Sequence, residues 1–426
     1  MDQSLTPGIK QAGDVECISI KLFDPKNNYE SINLLGAFNG LTFYEDIFSP
    51  VVTGQLILTE TQNLLSSMPI VNGERLDIEF KTPTHDTPLK FSFIVSKVGA
   101  RVEKDKGNAY TLELISYECY LDLDLRISKA YVGNAGDIAR KVYKDFFNGQ
   151  MTDSDICDNN IKFVSPYWGP LKIINYATSR AILPNSKLTT PNFLFYQTHY
   201  GHKFNSITTM MNKTPITEYV YDNNPARVSD NEGNTVRDID REYRSILGIE
   251  FISAQDHMKN MMNGAYNHRV FGVNLLTKKF DVKTYNYTTD FDKTTHTDNN
   301  QLNVLIASTS SGLVSIRHTT PLMFDGVNDM SDEIIAKRIS LLAQLETWKI
   351  NIRAHGRNDI EAGATVSLKL NQFKSVDMSD VGKDLSDPLY SGKYLITAVA
   401  HKFTQAKYEC NMELIKDASF SEIKIK

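Results

Sequence analysis

One phrase of this sequence is used twice, and it constrains the fold more than any other feature. Near the C-terminus, residues 392–403 (Gly-Lys-Tyr-Leu-Ile-Thr-Ala-Val-Ala-His-Lys-Phe) lead through a short polar turn into residues 408–415 (Tyr-Glu-Cys-Asn-Met-Glu-Leu-Ile). Near residue 100, residues 91–98 (Phe-Ser-Phe-Ile-Val-Ser-Lys-Val) lead through a longer charged turn into residues 109–115 (Ala-Tyr-Thr-Leu-Glu-Leu-Ile). β-Branched and aromatic residues between Gly, Asn and Asp punctuation read as a hairpin. Both hairpins end in Glu-Leu-Ile. Each also follows a run that alternates apolar and polar with period two, residues 73–80 and 363–370. Such alternation gives one buried and one wet face. The reading is two related antiparallel β units, one toward each end, although two unrelated hairpins would share part of the pattern.

The 426 residues allow ~3 domains at about 150 residues each. With 41% apolar and 23% charged residues, the composition is that of an ordinary folded chain. The 46 basic and 51 acidic residues leave a net charge of −5, without the basic footprint of a dedicated nucleic-acid binder. The cysteines Cys17, Cys119, Cys157 and Cys410 are far apart and form no CxxC, which fits folding in a reducing cytosol. No signal peptide opens the chain and no apolar run approaches the ~20 residues of a membrane span. The expectation is a soluble protein with no membrane anchor.

The fold class expected is α+β and β-rich, with two antiparallel β-barrel domains flanking a mixed α+β middle. Residues 1–14 read as a polar tail. Residues 15–125 form the first β-barrel domain, with strands at 15–23, 34–44 and 54–59 and a short irregular or helical link at 63–68. Residues 126–245 form the middle domain. In it, Asn134 is the N-cap of a helix near 136–148. Pro170 suits the first turn of a second helix near 170–183, and residues 192–206 make a hairpin turning at Tyr200–Gly201. Residues 246–330, strands and a polar linker that belong to the middle region or to the second barrel, hold a helix from Asp256 to Asn263 with Gly264 at its C-terminal cap, a strand pair at 270–275 and 280–285, and a structureless polar stretch at 288–301. Residues 331–418 comprise a helix capped by Ser331 and the second β-barrel domain, with strands at 348–353 and 363–370. It is interrupted by a loop at 374–388 of the length that is usually functional or disordered. Residues 419–426 are a tail.

Catalytic signatures are missing. The chain has no GxSxG, P-loop or HExxH. His199 and His202 have the spacing of a metal pair but flank a turn without Cys or acidic companions, and read as two surface histidines. Asp122 and Asp124 alternate with Leu121, Leu123 and Leu125, as on the polar face of a strand. Asp377, Asp380, Asp384 and Asp387 punctuate the long loop without the spacing of a calcium loop. No catalytic, cofactor-binding or metal-ligating residue is therefore assigned, and no cofactor is expected.

Four stretches together resemble the central baseplate hub protein of contractile-tailed bacteriophages and the hub part of secretion-system spike proteins. They are residues 18–24 leading into 41–54, the aromatic hairpin 193–206, residues 264–270 followed by 278–280, and residues 391–397 with His401 and the closing 412–415. In order and spacing they cover ~15–417, although no single motif is diagnostic. The resemblance implies a homotrimer in which two tail-tube-like barrels per chain make a pseudo-sixfold ring. It also implies a trimeric spike protein below, a tail tube or tube-initiator protein above, a tape measure protein, surrounding baseplate wedge proteins, and DNA passing in transit through the channel. The location implied is the virion tail baseplate, after assembly in the host cytoplasm, and the role is structural rather than enzymatic. A tail-associated cell-wall hydrolase and a carbohydrate- or receptor-binding tail protein are the competing readings. The first suffers from the missing catalytic motif, and the second from the likeness of the two ends.

Overall fold

A computed structural model describes residues 11–24, 31–60, 70, 72–82, 88–104, 107–184, 191–221, 228–229, 235–236, 238–254, 256–275, 277–298, 300–301, 312–318, 331–345, 348–371 and 386–418. The N-terminal unit consists of β1 (Glu16–Phe23), β2 (Ser31–Asn33), β3 (Phe38–Asp46), β4 (Thr53–Glu60), β5 (Arg75–Lys81), β6 (Leu89–Lys104) and β7 (Gly107–Ile115). Alternation along these strands places Leu56, Leu58, Leu76, Ile78, Phe80, Leu112 and Leu114 in one apolar core. The expected link at 63–68 lies outside the described residues.

The middle region begins with helix α1 (Tyr117–Asp124), followed by β8 (Ile127–Asn134), α2 (Ala135–Phe147), β9 (Asp153–Ser154), β10 (Asn160–Trp168) and α3 (Pro170–Thr178). It continues through the hairpin β11 (Phe193–Thr198) and β12 (Gly201–Ser206) into α4 (Ile207–Asn212). Asn134 caps α2 as expected, its side-chain oxygen accepting from the backbone N–H of Gly136 at 3.0 Å and of Asp137 at 3.4 Å. The face carrying Ile138, Ala139, Val142 and Phe147 packs on Phe163, Ile174 and Phe204. α3 stops short of the expected 183. The Asn159 side chain bonds both the Arg180 carbonyl and the Ile182 N–H, which holds that stretch out of the helix.

Asp122 and Asp124 lie on a helix, not on a strand. The i, i+2 leucine spacing fits either period, and Asp122 decides it by accepting from the Leu171 backbone N–H at 2.7 Å, an orphan donor in the first turn of α3. The hairpin also turns one residue earlier than expected, at His199–Tyr200, with Thr198 opposite Gly201.

Next come β13 (Glu218–Val220), β14 (Val228–Ser229), β15 (Thr235–Val236), α5 (Ile239–Tyr243) and β16 (Ile246–Ala254). They are followed by α6 (His257–Met262), β17 (Asn267–Asn274), β18 (Lys279–Asn286), α7 (Tyr287–Asp290) and β19 (Leu313–His318). α6 has the expected Gly264 at its C-terminal end, at φ +76°, and its N-cap is Asp256, which accepts from the Lys259 N–H. The stretch from 288 is not structureless. Asn286 caps α7 through the Thr288 and Thr289 N–H groups, and buried Tyr287 and Phe291 pack with Ala265 and Ala418.

The chain closes with α8 (Ser331–Leu345), β20 (Trp348–His355), β21 (Thr365–Lys369), β22 (Gly392–Thr404) and β23 (Tyr408–Lys416). Registers in this C-terminal unit coincide with those of the N-terminal one. β6 meets β7 with Val95 opposite Leu114, then slips so that Lys97 faces Glu113. β22 meets β23 with Ile396 opposite Leu414, then slips so that Ala398 faces Glu413. The residue left over in each bulge, Ser96 or Thr397, turns its hydroxyl onto the backbone carbonyl of the facing glutamate, at 3.1 and 3.2 Å. One strand further out, β3 slips on β4 at Gly40 and β16 slips on β20 at Gly248. The orders β5-β6-β7-β4-β3 and β21-β22-β23-β20-β16 therefore match and share these two bulges, while a second slip at Val98–Arg101 in β6 and at Phe251–Ser253 in β16 has no counterpart.

The ladders do not show two separate closed barrels. Among the described residues they form one open sheet of 13 strands. The reason is the length of β22. Its first residues pair with β21, and beyond the bulge the same edge carries β3, from Ala398 opposite Asp46 to Thr404 opposite Gly40. Beneath this seam, rings from both units interdigitate, Phe80 on Phe403 at 4.3 Å and Phe403 on Tyr408 at 4.1 Å. Each buried ring of this size contributes about 1.5–3 kcal/mol.

Candidate functional site: a buried junction and two open sheet edges

Period two along β3 puts Phe43 and Glu45 on the buried face, and along β22 it puts Val399, His401 and Phe403 there. Glu45 is thereby carried into the seam between the units, and the hairpin turn of the middle region delivers His199 to the same point. Glu45 Oε1 accepts from the His199 backbone N–H and lies 2.6 Å from His199 Nδ1, while Oε2 accepts from the Ala362 N–H at 3.0 Å. His401 Nε2 stands 3.6 Å from Glu45 Oε1. His401 Nδ1 lies 2.8 Å from the Tyr408 hydroxyl, and His199 Nε2 lies 3.1 Å from the Asn358 carbonyl. Burial pushes the Glu45 pKa up, but the His199 and His401 charges outweigh it and hold the carboxyl well below the usual range. Burial alone would lower the His401 pKa; the Cys410 sulfur and the Glu45 carboxylate beside it raise it to about 10. A second ion pair, Lys203 with Glu361 at 2.6 Å, ties the same hairpin to the same loop.

His199 and His202 are thus not surface residues. Both rings are buried, and they take different partners. His202 bonds the Tyr143 hydroxyl and the Pro50 carbonyl, each at 3.0 Å, and stacks on Phe195. Burial lowers its pKa. Asp387 closes a turn by accepting from the Leu389 and Tyr390 N–H groups. Asp377, Asp380 and Asp384 lie outside the described residues. All four cysteines are free thiols. The sequence reading missed Glu45 and His401, although the alternation that buries Phe43 and Phe403 was the signal for both.

Two sheet edges stay open. β5 pairs with β6 only up to Ile94, and among the described residues nothing pairs that edge from Lys97 to Lys104. β16 ends the sheet on the other side, with Phe251 40% and Ile252 47% exposed. A groove of about 650 Å³ crosses β16, β20, β23, β22 and β3, and Tyr44, Asp46, Glu250, Arg353, Asn411 and Glu413 are among the residues that line it.

Neither a family model nor a curated protein matches the sequence. Solved structures do. A tail protein from Neisseria meningitidis MC58 superposes with a TM-score of 0.54 at 9% identity, over 94% of this chain and 98% of that one. The 43 kDa tail protein of prophage MuSo2 from Shewanella oneidensis gives 0.55 at 9% identity, over 95% and 99%. The fold is that of phage tail proteins. Both likenesses run nearly end to end, so the two units and the middle region are shared parts rather than additions. No helix among the described residues is long and apolar enough to cross a membrane.

Proposed function

We propose that the chain is the hub of a phage tail baseplate, a homotrimeric ring that adapts a sixfold tail tube to a threefold central spike. Its two tube-like units, residues 15–125 and 331–418, alternate around the ring, and the second unit borrows β16 from the 246–330 stretch. Residues 126–245 build the threefold side that receives the spike protein. The tube or its initiator stacks on the other side, wedge proteins surround the ring, and the channel passes the tape measure protein and DNA.

The observation that carries this reading is the pair of open edges. Within the chain, β22 beyond its bulge pairs with β3. The equivalent segments are β6 beyond its bulge and β16, and among the described residues both lack that partner. Arg101 faces Tyr110 as His401 faces Cys410, so Val102 corresponds to Lys402. Thr42 faces Gln55 as Glu250 faces Asn351. The internal pair Lys402–Thr42 thus has Val102–Glu250 as its counterpart, and that pair is formed only between two copies. A long, exposed edge strand is a template for pairing, and a head-to-tail contact of this kind closes into a ring. Native mass spectrometry and class averages from electron microscopy, with and without the co-expressed spike protein, test the proposal. A threefold ring with six lobes supports it. A monomer in both preparations, or a twofold dimer, refutes it.

A further inference from the structure

The junction brings three metal-competent side chains, Glu45, His199 and His401, to one buried point. The outer ring nitrogens have partners of their own, His401 Nδ1 the Tyr408 hydroxyl at 2.8 Å and His199 Nε2 the Asn358 carbonyl at 3.1 Å. The inner nitrogens, His199 Nδ1 and His401 Nε2, both face Glu45 Oε1. His401 Nε2 is fully buried and has no hydrogen-bond partner.

We propose that this junction is a structural site for one divalent transition ion of the zinc class, held by Glu45 Oε1, His199 Nδ1 and His401 Nε2. The three atoms lie within 4.8 Å of one another. Glu45 Oε1 stands 2.6 Å from one ring nitrogen and 3.6 Å from the other. These values bracket the ~3.3 Å that separates ligand atoms around a tetrahedral ion with bonds of about 2.0–2.1 Å. Two imidazoles and a carboxylate are ligands suited to zinc. The outer contacts match as well, since ligating histidines commonly donate their other N–H to a carbonyl or similar acceptor. Here those acceptors are the Asn358 carbonyl and the Tyr408 hydroxyl. The ion would pin β3 of one unit, β22 of the other and the β11–β12 turn at one point. The site is complete in a single chain and does not depend on the ring.

The test uses the full-length chain without an affinity tag, dialysed against zinc and desalted. Elemental analysis is expected to find one zinc per chain in the wild type, and none in His199→Gln or His401→Gln. Chelation is expected to lower the melting temperature of the wild type and leave the variants unmoved. No zinc above background in the folded wild type overturns the proposal, as does the same zinc content in the variants. Should the variants fail to fold, X-ray absorption on the zinc-loaded wild type decides. Two imidazole nitrogens at about 2.0–2.1 Å support the site, and a spectrum without imidazole scattering overturns it.

Discussion

Replacing Glu45 by glutamine in chelator-treated protein keeps the shape of the junction and removes its charge. The carboxylate accepts from the His199 backbone N–H and the Ala362 N–H, and faces both ring nitrogens. An amide offers only one oxygen. Whichever way it is turned, its NH₂ meets a donor, either the Ala362 N–H or the His199 pair. An unpaired buried donor costs about 1–3 kcal/mol, and removing one partner of a buried ion pair costs about 3–5 kcal/mol. The hairpin turn and the 358–364 loop meet through this junction, the neighbouring Lys203–Glu361 pair and the hydrogen bonds of Tyr200 to the Asn358 carbonyl and of Thr198 to Glu361, so the cost falls on local opening. A loss of about 3 kcal/mol is roughly a hundredfold in the opening equilibrium. Hydrogen exchange read by mass spectrometry should therefore show the His199 and Ala362 amides exchanging roughly a hundredfold faster. Glu413→Gln, a half-exposed partner of Lys349, should stay within about 1 kcal/mol of wild type. If both amides keep their protection in Glu45→Gln, the junction is not what holds the seam.

Three further outcomes follow from the same contacts. Asn134→Ala removes the cap of α2 and should cost about 1 kcal/mol in denaturant unfolding. Gly356→Ala places a Cβ 2.2 Å from the Tyr408 ring and should cost about 1–3 kcal/mol, or block folding. The buried pair His296–Asp417, 2.7 Å apart, gives a pH signature. Burial raises the Asp417 pKa, but the His296 charge and the Thr297 hydrogen bonds bring it below the ordinary value. Its contribution is present above about pH 4, the unfolded value, and is lost as pH falls through the folded one. Burial would lower the His296 pKa, but Asp417 raises it, so its contribution is present below about pH 6.5 and is lost as pH rises through the raised value. Denaturation midpoints should show this pair at full strength between about pH 4 and 6.5, and Asp417→Asn should flatten the profile.

Much of the β framework could be read from the chain because its strands alternate and its turns carry Gly, Asn or Asp. The Glu-Leu-Ile repeat even located the two hairpins whose bulges coincide. Local chemistry also placed the caps at Asn134 and Gly264. Where two periods fitted equally, the sequence could not choose. Leu121 and Leu123 suited a strand until the contact from Asp122 to α3 made them helical. The stretch after Asn286 had a loop's composition, and only burial of Tyr287 and Phe291 against the distant Ala418 ordered it. The union of the two units into one sheet was invisible for the same reason, since β22 meets β3 across more than 350 residues. Glu45, His199 and His401 come from three remote stretches, and no spacing rule joins them.

Cross-linking a Val102→Cys, Glu250→Cys variant tests the central claim most directly. Both residues are exposed, Val102 at 58%, and six strands stand between theirs in the order of the sheet. Directly opposed residues on neighbouring antiparallel strands have Cβ atoms about 4.5–5.5 Å apart, at the edge of disulfide range. Under oxidation, the account predicts a ladder that stops at a closed trimer, with neither single-cysteine control cross-linking. Protein that stays monomeric, or that cross-links equally well in the register-shifted pair Val102→Cys with Leu247→Cys, would contradict it.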